Sequence, residues 1–218
     1  MKVPSLWKFP SIVIPEDAYM VIFASGKNIQ TSPSYWHTLI NVGDEWKYLL
    51  PETNLDDSWK SSTTATVDWP VGKSGIGYAD GDDSTLISQT ISVYMQKTFD
   101  ISNLNAVTNA MLYMDYDDGF IAYLNGTEVA RSISMGDSGR SFSFDAPSIS
   151  GHEATMYNGN NPESYVISDY LNLLQEGENI LAIEVHNVSI TSSDMSAIPF
   201  FLLGFNSIQE EYMYKIRI

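Results

Sequence analysis

The stretch GFIAYL-NG-TEVAR (Gly119–Arg131) constrains the fold most, because it commits the chain to antiparallel pairing. FIAYL alternates over a strand length, and Tyr and Ile favour a half-buried pleated surface. Asn125-Gly126 supplies two residues that tolerate positive φ, as a two-residue type I′ turn needs to match strand twist. TEVAR then returns as the partner strand. Three carboxylates, Asp115, Asp117 and Asp118, crowd the approach to this hairpin.

Nearly everything else reads as short strands between turn clusters: AYMVIFA (Ala18–Ala24), EWKYLL, ISVYMQKTF, NAMLYM, SFSF and NILAIEVHN. SYVISDYLNLLQEGEN alone has a plausible helical turn, with Gly177 as its left-handed stop. Many strands separated by turns predict an all-β chain, an antiparallel β-sandwich of the jelly-roll kind with a short N-terminal β segment. Residues 28–44 read as a linker, 45–205 as the main domain and 206–218 as a C-terminal tail. Leu112, Ile121, Tyr123, Leu181, Ile183 and Val185 are expected in the core or at its edges. In NILAIEVHN the alternate set, Ala182, Glu184 and His186, is expected at a groove or in solvent, with a loop hydrogen bond as the structural role for His186.

The balance of 11 Lys+Arg against 27 Asp+Glu gives a net charge of −16. Nucleic acid is excluded as a natural partner, since phosphate binding rests on clustered Lys and Arg. Between Asp44 and Glu128 there are fourteen acids and four lysines, so that half carries a negative field that attracts cations. With no cysteine there is neither a disulfide framework nor thiolate chemistry. No apolar run approaches the length of a membrane span.

Several motifs fail on spacing. VGKSGIG is not a phosphate loop, because its first glycine falls on Val67; it is a glycine-rich bend. ADGDDST (Ala79–Thr85) and DYDDG (Asp115–Gly119) resemble calcium loops by charge, but neither has the EF-hand glycine or closing Glu. Asp80, Asp82, Asp83 and Asp115 stand as candidate ligands of a non-EF calcium site, the alternative being solvated or N–H-capping aspartates. His37, His152 and His186 share no zinc spacing. Trp69 and Tyr78 are the aromatic candidates for stacking on the apolar face of a sugar ring, although most rings in a sandwich are core.

DYDDGFIAYLNGTEVAR, LLQEGENILAIEVHN and SSDMS (Ser192–Ser196), in this order, resemble a bacterial jelly-roll module of the galactose-binding-domain-like group. It is similar to the sugar-binding domain of family 2 glycoside hydrolases. WPVGKSGIGYADGDDSTLI and ISVYMQKTFDI match the module's upstream half. Upstream again, LWKFPSIVIPEDAYMVIFASGKN resembles the closing strands of a lamin-tail domain, so residues 1–27 are expected to be its remnant and the chain a piece of a longer one. The resemblance implies an exported, multidomain parent, secreted or on the cell surface, of the Bacteroidetes type. It marks Asp117, Asp118 and Gly119, then Glu153, His186, Ser192, Ser193 and Asp194, as recurring polar positions at the loop end. The function implied is a non-catalytic, carbohydrate-binding accessory module, with the neighbouring domains of its own chain as partners. The acidic loops themselves, all hard oxygens with no Cys available, suggest calcium as a structural cofactor. A structural spacer and a glycan-active hydrolase or lyase are the alternatives.

Overall fold

The computed structural model describes residues 33–79, 81 and 83–206. The expected lamin-tail remnant, the strand at Ala18–Ala24, and Asp80 and Asp82 lie outside these residues. Among the described residues the chain forms β1 (Tyr35–Ile40), β2 (Glu45–Leu49), β3 (Val71–Lys73), β4 (Ile76–Gly77), β5 (Thr85–Leu86) and β6 (Ser92–Ile101). There follow β7 (Val107–Asp117), β8 (Gly119–Leu124), β9 (Thr127–Arg131), β10 (Glu163–Val166), β11 (Gly177–His186) and β12 (Ser196–Phe205). One sheet has the order β1-β12-β7-β10 and the other β3-β2-β6-β11-β8-β9, all antiparallel; β4 and β5 form a short parallel pair. This is the all-β antiparallel sandwich that the strand pattern predicts.

The two sheets bury one core between them. Ala110, Leu112, Met114 and Tyr116 of β7 and Phe201, Leu203 and Phe205 of β12 face Val93, Met95 and Phe99 of β6 and Leu181, Ile183 and Val185 of β11. Phe99 and Phe201 meet across it with ring centroids 5.1 Å apart. The alternation along each strand is what puts one set of side chains into this layer.

The second face of the six-stranded sheet is also covered, which corrects the expectation of a groove there. Trp59, from a 3₁₀ turn at Asp57–Lys60, and Met135 close over Tyr94, Ile121, Tyr123, Ile180 and Ala182, with Trp69, Phe142 and Phe144 packed alongside. SFSF therefore forms no strand; its two rings serve as cover instead. Glu184 and His186 are buried beneath this layer. The Tyr123 hydroxyl donates to Glu184 Oε1 at 2.5 Å, and His186 Nδ1 lies 2.8 Å from the Ala146 carbonyl, where it must donate.

Three further readings change. Part of the expected linker is β1, which pairs with β12 and stacks Tyr35 on Phe205 at 5.3 Å. The helical turn is a 3₁₀ turn at Ser168–Leu173, and Gly177, at φ +84°, opens β11 rather than ending a helix. β12 carries Pro199 inside a strand with neighbours on both sides. Pro199 pairs with Met114 of β7, but β1 reaches only as far as Phe201, so the missing N–H falls where β12 has one neighbour.

Candidate functional site

At Asp117-Asp118-Gly119 the chain leaves the four-stranded sheet as β7 and enters the six-stranded sheet as β8. Gly119 is required at this corner, because a Cβ there would stand 2.7 Å from Met135 Sδ and 2.9 Å from Ser134 Oγ. The connection from β11 to β12 makes the reverse crossing beside it. Asp117 pairs with Ser196 and Gly119 with His186, so register alone brings Asp194, two residues before Ser196, next to Asp117.

The third wall is the segment 152–156, held by carboxylates. Asp115 accepts the amides of Thr155 (2.8 Å) and Met156 (2.9 Å) on its two oxygens. Asp118 accepts the amide of His152 at 2.8 Å on one oxygen and that of Val188 at 2.7 Å on the other. His152 stacks on Tyr116, with centroids 4.1 Å apart, and bonds the Tyr116 carbonyl and Glu163. Glu153, between these anchors, is thereby delivered to the corner.

The result is a group of three carboxylates, Asp117, Glu153 and Asp194, whose chosen oxygens all lie within 4.8 Å of one another. Asp117 is 3% exposed. Asp194 accepts the Ser193 hydroxyl at 2.8 Å, whereas among the described residues no N–H or O–H is hydrogen-bonded to the Asp117 carboxylate. Burial, with the charges of Asp118, Asp194 and Glu153, pushes Asp117 up to about 8. Tyr78 closes one side. Its backbone bridges Met195, and its hydroxyl donates to the Ser192 carbonyl and accepts from Asn187. Gly77 is forced by the same packing, since a Cβ there would collide with the Met195 carbonyl and with Asp83 Oδ1.

The structure thus gathers Asp117, Asp118, Glu153, Asp194 and Tyr78 at one loop end. It does not bring the other candidates there. Trp69 packs against Trp59, centroids 5.9 Å apart, over the outer sheet face. His186 is fully buried under the cover described above, so solvent-borne ligands do not meet it. Asp115, expected among metal ligands, has both oxygens engaged by amides and acts as a loop anchor. Asp83 lies against Gly75 and Gly77.

A second feature escaped the sequence. Beyond the hairpin turn, at the opposite end of β8, a cavity of about 410 Å³ is lined by Ser61, Ser62, Thr63, Asn125, Gln175 and Glu178, with Leu173 and Ile180. Hydroxyl and amide residues are common in loops, so nothing in the chain singles these out.

The fold has counterparts among solved structures. A β-glucuronidase from an uncultured Clostridium sp. matches with a TM-score of 0.51 at 14% identity, covering 87% of this chain and 31% of that one. The likeness shows the fold. A Bacteroides uniformis β-glucuronidase (TM-score 0.49, 11% identity, 77% of this chain and 18% of that one) and a β-glycosidase from Bacteroides vulgatus (0.43, 16%, 77% and 20%) are also similar. The chain spans less than a third of the length of these solved chains. A scan against protein-family models finds no match, and neither does a search of curated proteins. No helix among the described residues is long and apolar enough to cross a membrane.

Proposed function

We propose that this chain is a non-catalytic accessory module, like the sugar-binding domain of family 2 glycoside hydrolases, that binds carbohydrate for an exported multidomain bacterial parent. The observation that carries the reading is the polar cavity at the hairpin end. Its about 410 Å³ suits a small saccharide, and its hydroxyls, amides and the Glu178 carboxylate are the groups that hydrogen-bond sugar hydroxyls. The fold shared with a β-glucuronidase, over a minor part of that enzyme, supports the same class of ligand. Calcium is the cofactor this reading keeps.

The test is a glycan array with the parent chain and with Gln175→Ala and Glu178→Ala, both surface changes, alongside hydrolysis assays on aryl glycosides that include a glucuronide. Binding that both variants weaken, with no turnover, is expected. Binding to no glycan supports the spacer instead. Turnover that Asp117→Asn abolishes would make the protein an enzyme.

A further inference from the structure

We propose that the carboxylates of Asp117, Glu153 and Asp194 bind a hard divalent cation, calcium in preference to magnesium, at the corner between the two sheets. The site is independent of the saccharide reading and lies at the other end of β8. Three observations carry it. The oxygens come from three separate segments, the end of β7, the segment 152–156 and the β11–β12 connection, and converge within 4.8 Å. Asp117 is 3% exposed, and among the described residues no N–H or O–H donates to its carboxyl. Its neighbours Asp115 and Asp118 have an amide on every oxygen, so Asp117 is the buried acid of this loop left without an amide.

A buried carboxyl between two others is relieved either by a proton or by a counter-charge. His152, the nearest basic side chain in the segment, is directed to Glu163 and the Tyr116 carbonyl instead. The donor set is all oxygen, with neither sulfur nor imidazole, which selects calcium or magnesium over zinc or copper. Ligand number decides between those two: magnesium keeps several waters in a rigid octahedral shell and is held by one or two carboxylates, whereas calcium takes about six to eight oxygens. Three carboxylates from three segments suit calcium, and its flexible shell takes waters at the exposed Glu153 side. A bound ion ties together two sheet-crossing connections and the segment that anchors on them.

The experiment is calorimetric titration of CaCl2, and separately MgCl2, into the chelator-treated full chain, with no sugar present. The variants are Asp117→Asn, Asp194→Asn, Glu153→Gln and Asp83→Asn. One calcium per chain is expected, with affinity cut about 10–100-fold or more in the first three variants and unchanged in Asp83→Asn. In chelator, Asp117→Asn melts no lower than the parent, because it removes a crowded charge. Glu153→Gln, on the surface, reports the site even if a buried variant folds poorly. No calcium heat, calcium lost only in Asp83→Asn, or magnesium bound as tightly as calcium would each overturn the proposal.

Discussion

Asp118 accepts the amide of Val188 at 2.7 Å, which ties the corner leaving one sheet to the connection returning to it. Its other oxygen holds His152 at 2.8 Å. Both are charge-assisted bonds to backbone, made in a buried place. Asp118→Ala is therefore expected to cost roughly 1.5–3 kcal/mol or more, read as a lower urea midpoint at unchanged slope. A variant as stable as the parent would mean the amides find water at no cost.

Asn125 does more than turn the chain. Its φ of +49° suits the hairpin, but its side chain also donates to the Leu173 carbonyl and to Asn179, and accepts the Ile180 amide at 2.8 Å. Asn125→Gly keeps the turn and removes those bonds. The expected loss is about 1–3 kcal/mol in thermal or urea unfolding; a turn-only residue would lose close to nothing.

Two faces of the central sheet are dry. Ile183 faces the inner core and Ile121 the outer cluster, and both are fully buried. Each substitution to Ala is expected to cost about 2–5 kcal/mol. An Ile121→Ala variant with parental stability would show that the Trp59–Met135 cover is not a packed layer.

Glu128 gives the pH prediction. Burial raises its carboxyl, but the fork of Arg131, the Gly139 amide and the Ser138 hydroxyl outweigh that and hold it below its ordinary 4.5. A depressed folded value means the stabilisation is complete above the unfolded value and is lost as pH falls through the folded one. The parent should exceed Glu128→Gln in stability at pH 7, and the gap should close below about pH 4.5. A gap that persists undiminished at pH 3 would assign the effect to shape rather than charge.

What the sequence discloses follows from which interactions are local. The hairpin and the strands β6, β7, β8 and β11 are legible because alternation and Asn125-Gly126 act within a few residues. β12 is hidden because Pro199 argues against a strand, and only the end of β1 makes it tolerable. The outer face of β11 reads as solvent-facing because Glu184 and His186 are polar, yet Tyr123 and the Ala146 carbonyl, far along the chain, satisfy them. The acids are visible from the start, but their roles are not. Which carboxylate anchors amides and which is left without a donor depends on where residues 152–156 pack.

The central claim is that the acids at the sheet corner divide into anchors and one cation site. Diffraction from crystals grown with calcium, using its anomalous signal, tests this most directly. The account predicts one peak, about 2.3–2.6 Å from oxygens of Asp117, Glu153 and Asp194, with the amides of Thr155, Met156, His152 and Val188 still on Asp115 and Asp118. A peak on the 79–83 loop, or none at the corner with calcium in excess, would contradict it.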